Sequence, residues 1–355
     1  METDNVVIRL VPEKKGLILK HSEYEITTRK YKTTVVRRYN DFVTLHSLLV
    51  SRFPYRMVPR LPPKQLMLDS FLEERRRGLQ RYLQIVCQHP LLNSGPMLET
   101  FLTDKSNEHI EHLRAVFSKE LDEYSALSEN EDLPLEDQGR LAASRENMRT
   151  MLNSVIRLKR LLEQHSQRLQ NQAVDFSEMS NILKNIDASN CFKNQSFTSL
   201  QSSLNSTVTT TTKSSATLSY AITEKINLLL DILTAHSDLC DRVERGIVSD
   251  HQRALSKMLT INKQKIKGVI RGSAPEDVQA LHQQEVAQNG VVGTLGRKSA
   301  FSLRCVLQET SLANKYLQIL PSVLLSFSYE QQVLNSETAK AWETVMTNEC
   351  NQLNQ

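Results

Sequence analysis

A helical hydrophobic period that runs from Arg140 to about Leu353 is the feature that most restricts how this chain can fold. Apolar residues recur at spacings of three, four or their sums, with interruptions near residues 187–217 and at Gly272–Pro275. The pattern predicts three long helices, at about 140–187, 217–271 and 276–353. All three would exceed 40 residues, which is far longer than an ordinary helix and favours a coiled-coil-like bundle, commonly a dimer.

Two stretches weaken this helical pattern. Residues 187–217 are rich in Ser, Thr and Asn, so we expect a polar loop that is partly disordered. Gly290, Gly293 and Gly296 lie inside the third predicted helix. Each glycine costs about 1 kcal/mol relative to alanine in a helix interior, so a kink or a break is expected there.

The first 103 residues follow a different pattern. Three segments rich in β-branched residues, ending with Tyr31–Tyr39, predict strands, and Asp41–Leu49 and Phe71–Cys87 return to a helical period. This predicts a small α+β domain with a three-stranded sheet. Residues 1–102 carry 17 basic and 10 acidic side chains, a net charge of +7, whereas the remainder is net −3. The basic N-terminal domain therefore points to an anionic partner.

Residues 104–139 are acidic and loosely patterned, and they predict a linker. Within it, Asn107–Leu121 is expected to form a short amphipathic helix whose apolar face carries Ile110, Leu113, Val116, Phe117 and Leu121.

Signatures of catalysis, metal binding and membrane spanning are missing from the sequence. It has no Gly-rich phosphate loop, nucleophile elbow or HExxH motif, and its five cysteines are scattered without metal-ligand spacing. His109 and His112 lie one turn apart, but without a third ligand they favour a surface histidine pair over a metal site. No stretch approaches about 18 apolar residues, and Met1–Lys20 is too charged for a signal peptide. We expect a cytoplasmic protein that is not an enzyme, uses no cofactor, binds no nucleic acid and contacts membranes peripherally.

The most informative local sequence is Arg37–Phe42, where a predicted strand meets a helix. A guanidinium group can grip a phosphate with paired hydrogen bonds, and a tyrosine ring offers a flat wall to a sugar ring. Alone the pair of arginines is weak evidence, because exposed charges are common on edge strands. Leu61–Lys64 adds a rigid loop that carries a cation, and Glu73–Leu83 adds basic residues at a helix start.

In this order and spacing, the three motifs resemble the phox-homology (PX) domain, which binds phosphoinositide lipids, over about residues 4–103. The resemblance implies that Arg38 binds the 3-phosphate of phosphatidylinositol 3-phosphate and that Tyr39 stacks under the inositol ring. It implies that Lys64 pairs with the 1-phosphate and that Arg75 binds the 4- and 5-hydroxyls. Arg37 would be structural or a helper. Three apolar residues follow Lys64 in the same loop: Leu66, Met67 and Leu68. They would insert into the bilayer when the lipid is bound; alternatively, at least one of them would pack into the domain core.

A PX domain, a linker and three long helices together resemble the sorting nexins of the PX–BAR subfamily, in particular the sorting nexin-eight type. The resemblance implies a PX domain at 1–103, a linker at 104–139 and an all-α BAR domain at 140–355 that forms an antiparallel dimeric bundle. A BAR surface must be basic where it meets anionic lipid, and the end of the second helix is basic. The expected membrane-facing residues are Arg253, Lys257, Lys263, Lys265, Lys267 and Arg271, with an ordinary solvated helix face as the alternative.

The resemblance implies a protein on the cytosolic face of early endosomes that binds phosphatidylinositol 3-phosphate and senses or induces curvature in anionic membranes. Its expected role is endosomal sorting and retrograde trafficking. Its expected partners are a second copy of itself, with a higher oligomer left open, and cargo or other trafficking proteins. The alternative is an endosomal adaptor or scaffold that binds lipid through its PX domain but does not remodel membrane.

Overall fold

A computed structural model describes residues 6–11, 22–64, 69–126, 138–189, 197–271 and 274–353. The chain folds into two compact units. Unit 1 comprises residues 1–149 and 231–313, and unit 2 comprises residues 150–230 and 314–355. Across the ranges that the model describes, none of the helices is both long enough and apolar enough to cross a bilayer.

Unit 1 contains a three-stranded antiparallel sheet in the order β1-β2-β3, formed by β1 (Val6–Leu10), β2 (Glu23–Thr28) and β3 (Thr33–Arg38). Side chains alternate between the faces of a sheet, and the register pairs Ile8 with Ile26 and Ile26 with Val35. All three residues are buried, so this face packs against the domain core. The predicted strands are confirmed.

Four helices cover this core: α1 (Tyr39–Arg52), α2 (Asp69–Gln88), α3 (Pro96–Thr103) and α4 (His109–Phe117). The Phe42 ring lies at the centre, edge-to-face with Tyr24 and with Phe101 at centroid distances of 6.4 and 5.3 Å. Such contacts add to the stabilisation from burial.

The amphipathic helix expected near Asn107–Leu121 is present as α4. Its Leu113 and Phe117 belong to the same buried core, so that core extends past residue 103 into the segment expected to be a linker. Val116 and Leu121, which were expected on the apolar face, are exposed.

The helices that follow α4 form three runs. The first is α5 (Gln138–Ala188). The second consists of α6 (Thr198–Thr217), a π-helical turn, α7 (Thr223–Val243), a second π-helical turn and α8 (Ser249–Arg271). The third consists of α9 (Pro275–Leu317) and α10 (Ile319–Leu353).

The loop prediction for residues 187–217 is wrong over Thr198–Thr217, which form α6. Small polar residues recur on one face of α6 and are buried within unit 2, where α6 packs against α10 and Ser215 also contacts Ser166 of α5: Ser203, Thr207, Thr211 and Ser215. The Thr207 hydroxyl donates to the Ser203 carbonyl oxygen at 2.9 Å, so its burial leaves no polar atom unsatisfied. Small side chains allow two helices to approach closely. The helix α6 therefore packs without the large apolar residues by which a buried helix face is usually recognised.

The break expected at Gly290, Gly293 and Gly296 is also absent, because α9 continues through all three. Contacts with α8 hold this part of α9, including a hydrogen bond from Gln288 Nε2 to the Ala254 carbonyl oxygen at 3.0 Å. The third helical run is interrupted at Gln318 instead. Pro321 follows three residues later and has no N–H to donate to the carbonyl of residue 317, which explains this position.

Candidate functional site

The two adjacent arginines at the end of β3 point to opposite faces of the sheet. Arg37 is 2% exposed, and its Nε and Nη2 atoms donate to the Phe101 carbonyl oxygen at 3.0 and 2.7 Å. Burial lowers the pKa of Arg37 to about 10, against the opposing effect of Asp41 and Asp104. Arg37 therefore ties β3 to α3, in agreement with the structural role expected for it.

Arg38 faces outward, and 56% of its side chain is exposed. Its backbone N–H donates to the Asp41 carboxylate at 2.7 Å and fixes the start of α1. Its guanidinium group lies 3.4 Å from a carboxylate oxygen of Glu23, which is itself 7% exposed. This long contact is weak, so the guanidinium group can exchange it for a stronger hydrogen-bonded pair with a phosphate.

Tyr39 joins three segments that are distant in the sequence. Its hydroxyl donates to the Pro62 carbonyl oxygen at 2.5 Å, and the Arg75 guanidinium carbon lies 5.3 Å from its ring centroid. Burial raises the pKa of Tyr39, and the positive charge of Arg75 acts against that rise. The ring therefore lies between α2 and the loop Leu61–Lys64, which we name the proline loop, with a cation held against it.

Lys64 lies at the end of the same proline loop and is exposed. Its Nζ atom is 3.3 Å from the Asn40 side-chain oxygen, which places the amine beside the first turn of α1. The next four residues are outside the described residues, so the structure does not test the membrane insertion predicted for Leu66, Met67 and Leu68.

A pocket of about 450 Å³ adjoins Arg75 and the proline loop. It is also lined by Arg60 and Arg81, which the sequence analysis did not identify. Both pair with carboxylates of α7. Arg60 makes two contacts of 2.6 Å with Asp238, and Arg81 lies 2.7 Å from Asp231.

Gly78 shapes the same region, and the sequence analysis did not identify it. A Cβ atom at this position would lie 2.8 Å from the Cβ of Pro62, closer than real Cβ atoms approach. Glycine at this point in α2 therefore lets the proline loop lie directly on the helix. An isolated glycine within an otherwise helical pattern was the available signal.

A larger pocket of about 740 Å³ lies between β3 and α4 and includes Arg38 but not Arg75. Its wall includes His109, whose Nε2 atom is 3.2 Å from the Asp41 carboxylate. His109 thus supports the carboxylate that caps α1 beside Arg38. The four predicted headgroup residues do not all line one cavity. Tyr39 and Arg75 are in contact, Lys64 borders the same helix start, and Arg38 opens toward the larger pocket.

A buried charge cluster in unit 1 joins the loop after α1 to α9. Arg56 Nε lies 2.7 Å from Glu123 Oε2, and Arg56 Nη1 lies 3.4 Å from Glu309 Oε1. Burial acts to lower the pKa of Arg56, but the combined effects of Glu123, Cys305 and Glu309 outweigh burial and the pKa is raised. Glu309 Oε2 also accepts from the Met57 backbone N–H at 3.3 Å and lies 2.9 Å from His89 Nε2.

His89 has a defined tautomer in this cluster. Its Nδ1 atom accepts the backbone N–H groups of Leu91 and Leu92, each at 3.2 Å. Nδ1 is therefore the acceptor, so Nε2 carries the proton and donates to Glu309. No hydropathy pattern pointed to this cluster, because Glu309 lies 253 residues from Arg56 and 220 residues from His89 along the chain.

Metal binding finds no support in the parts of the chain that the structure covers, where no three His, Cys, Asp or Glu side chains are grouped closely enough to hold an ion. His109 contacts Asp41, and His112 Nδ1 lies 3.1 Å from Asp104.

Comparison with known proteins gives consistent results. A family model described as "PX domain" matches residues 25–105. Human sorting nexin-8 is 34% identical over 361 residues, which cover 96% of this chain and 77% of that protein. Sorting nexin MVP1 of Saccharomyces cerevisiae is 25% identical over 350 residues, covering 88% of this chain and 66% of that protein.

A solved structure with a similar fold is described as the cryo-EM structure of the SNX-BAR Mvp1 tetramer. It has a TM-score of 0.73 at 20% sequence identity and covers 96% of this chain and 99% of that one. The predicted fold class, a PX domain followed by a helical BAR-like domain, is confirmed.

Proposed function

The chain belongs to the sorting nexin family that combines PX and BAR domains, and we propose that it binds phosphatidylinositol 3-phosphate on the cytosolic face of early endosomes. In this proposal the PX domain selects the lipid, and a BAR dimer senses or induces membrane curvature during endosomal sorting and retrograde transport. Binding at several weak sites combines through effective concentration, so curved membrane that carries the lipid would hold the protein most firmly.

The proposed headgroup roles are those that the resemblance to PX domains implies, and the chemistry of each side chain fits its role. Arg38 supplies an exposed guanidinium group for the 3-phosphate. Tyr39 supplies a ring for the inositol face, and Arg75 supplies donors for the 4- and 5-hydroxyls. Lys64 supplies an exposed ammonium group for the 1-phosphate that joins the headgroup to the lipid.

The observation that carries this proposal is the contact of Tyr39 with both Pro62 and Arg75. It brings residues from the start of α1, the proline loop and α2 to one place. An inositol ring that displaces the Arg75 guanidinium group from the Tyr39 ring would meet both the aromatic wall and the donors.

Two features of the helices support the curvature role. Residues 251–271 contain six Lys and Arg residues and no Asp or Glu, as expected of a surface that meets anionic lipid. Large apolar side chains are also exposed on the helices of unit 2: Ile156, Leu161, Val174, Met179 and Ile182 on α5, and Leu324, Leu325, Tyr329 and Met346 on α10. A second copy of the chain would cover such residues, so we propose a homodimer.

A higher oligomer is a further part of the proposal, because the structurally similar Mvp1 forms a tetramer. We also propose that the protein associates with cargo or other trafficking proteins, as the family relationship suggests. Analytical ultracentrifugation of the full chain over a range of concentrations would separate dimers from tetramers. A monomer at all concentrations would contradict the dimer.

The test of lipid selection is cosedimentation of the full chain with liposomes that contain or lack phosphatidylinositol 3-phosphate. We expect binding to require the lipid and to be lost in Arg38→Ala. Arg29→Ala is the matched control, because Arg29 is an exposed arginine of the same domain outside the proposed site. Equal loss in both variants would indicate a general charge effect, and no loss in Arg38→Ala would contradict the site.

The adaptor alternative predicts lipid binding without membrane remodelling. Tubulation of liposomes by the wild type and by a Lys263→Gln/Lys267→Gln variant separates the two functions. We expect the variant to bind phosphatidylinositol 3-phosphate but to lose tubulation. A wild type that binds the lipid and never tubulates would favour the adaptor.

A further inference from the structure

An apolar stripe runs along the exposed side of α8 near its C-terminal end. Leu259, Ile266 and Ile270 are 56%, 59% and 78% exposed. With about 100° of rotation per residue, they fall within roughly 40° of one another on the helix. Ile261 is 7% exposed and lies roughly 140–180° away from them. The stripe therefore points away from the buried side of α8, and we name Leu259, Ile266 and Ile270 the α8 stripe.

The buried side of α8 is held by α9, which fixes the orientation of the stripe. Lys265 Nζ lies 2.5 Å from Glu285 Oε2, and the Ala254 carbonyl oxygen accepts from Gln288 Nε2 at 3.0 Å. Lys265, expected to face the membrane with the other basic residues, is thus engaged by a carboxylate of α9. The α8 stripe lies on another side of the helix, so these contacts leave it uncovered.

Cations flank the α8 stripe on one side. Lys263 and Lys267 are exposed and lie roughly 60° and 100° around the helix from Ile266. Residues 251–271 contain no carboxylate that would repel an anionic surface. The stripe spans 12 residues from Leu259 to Ile270, or about 16 Å of helix length.

We propose that the α8 stripe is a membrane-insertion site. Its apolar side chains insert at the boundary between the headgroups and the acyl chains of an anionic bilayer, while Lys263 and Lys267 contact lipid phosphates. Charge favours this occupant over a second protein chain. Lysines are depleted in the cores of protein–protein interfaces, whereas a helix lying in a membrane interface combines an apolar face with lysines on its flank. The inference rests on the proposed function, because it assumes a chain that meets anionic membrane.

The insertion adds a role that charge alone does not supply. Apolar side chains placed in one leaflet occupy area between headgroups, so they favour membranes whose packing is already loosened by curvature. The α8 stripe would thus make the helical half sensitive to lipid packing as well as to charge.

The test places an environment-sensitive fluorophore, NBD, at Ile266→Cys in the full chain with Cys191→Ser and Cys350→Ser. The remaining cysteines, Cys87, Cys240 and Cys305, are buried. The matched control carries the label at Gln264→Cys, an exposed position on the same helix about 160° from residue 266.

Two kinds of liposome are used. The first contains phosphatidylserine and phosphatidylinositol 3-phosphate. The second contains phosphatidylserine and a nickel-chelating lipid that recruits the protein through an N-terminal histidine tag without any phosphoinositide. On both, we expect the label at residue 266 to shift to shorter emission wavelength and to be quenched by brominated lipid, and the label at residue 264 to do neither.

An unshifted label at residue 266 on sedimented protein would overturn the insertion site. A blue shift that is present without liposomes and disappears on dilution would also overturn it, because a second copy would then cover the stripe. Insertion on nickel liposomes without binding to phosphatidylinositol 3-phosphate would support the stripe and contradict the proposed lipid selection. In unlabelled protein, Ile266→Ser/Ile270→Ser should weaken liposome binding by roughly tenfold, with the PX site unchanged.

Discussion

Replacing Glu309 by alanine should destabilise unit 1 more than any exposed glutamate substitution. The Glu309 carboxylate is 4% exposed and contacts Arg56, His89 and the Met57 backbone N–H. Its removal leaves the His89 Nε2–H and the Met57 N–H without that acceptor inside the protein. It also leaves Arg56 with one carboxylate, Glu123, instead of two.

The expected magnitude follows from the number of donors left behind. A buried donor without an acceptor costs about 1–3 kcal/mol, and two such donors are created. Two donors therefore cost about 2–6 kcal/mol, and breaking a buried ion pair by removing one partner costs about 3–5 kcal/mol, which lies within that range. We therefore expect a loss of about 3–5 kcal/mol in the free energy of unfolding.

Urea unfolding of the full chain, followed by circular dichroism, measures this loss. Glu343→Ala, at an exposed position on α10, is the control and should change stability by less than about 0.5 kcal/mol. Amide hydrogen exchange provides a local readout, since Leu91 and Leu92 depend on the orientation of the His89 ring. A loss below about 1 kcal/mol in Glu309→Ala would refute the proposed role of the cluster.

Three further predictions concern single positions. Gly78→Ala should destabilise the protein by about 1–3 kcal/mol through its clash with Pro62, although helix propensity alone predicts a gain of about 1 kcal/mol. A lower midpoint of thermal unfolding would confirm the clash, and a higher midpoint would contradict it. Burial lowers the pKa of His236 to about 4 from 6.5, so its stabilising contribution is present above pH 6.5 and is lost toward pH 4. Between these pH values the free energy of unfolding should fall by about 1.4 kcal/mol for each unit by which the pH is lowered. Unfolding curves of His236→Gln should lack this pH dependence. Thr207→Leu should destabilise the packing of α6 in unit 2 by about 1–3 kcal/mol through overpacking, and an unchanged unfolding midpoint in urea would contradict close packing at this position.

Much of the PX fold followed from the sequence because its signals are local. Alternation marked the strands, and the spacing of Phe42, Leu45 and Leu49 marked α1, where all three are fully buried. The same alternation separates Arg37 from Arg38, since neighbouring residues of a strand face opposite sides.

The helix α6 could not be predicted by the same reasoning. Hydropathy identifies a buried face by large apolar residues, whereas this helix buries Ser203, Thr207, Thr211 and Ser215. Each hydroxyl needs a hydrogen-bond acceptor, and a backbone carbonyl one helical turn earlier provides it for Thr207. The helical period of α6 is present in the sequence, but it is formed by Ser and Thr residues, whose abundance suggested a loop.

The bends of the long helices were predicted at the wrong residues for a related reason. Glycine in a helix interior lowers stability, but contacts with a neighbouring helix can offset that cost, as they do along α9. A bend occurs instead at Gly246, whose φ and ψ of −89° and −106° are not helical. Pro321, which lacks an N–H, was the better signal for the interruption of the third helical run.

The parts of the site that the sequence did not reveal depend on long-range contacts. His109 supports Asp41 across 68 residues, and Arg60 pairs with Asp238 across 178. Neither pairing has a local signature, because each needs the fold to bring its two segments together.

The measurement that tests the central claim most directly is binding of the full chain to small, highly curved liposomes and to large liposomes, each with and without phosphatidylinositol 3-phosphate. If PX and BAR surfaces act together, the lipid and high curvature should increase affinity by more than the product of their separate effects, and Arg38→Ala should remove the contribution of the lipid. Equal binding to all four liposomes, or binding that ignores the lipid at every diameter, would contradict the account.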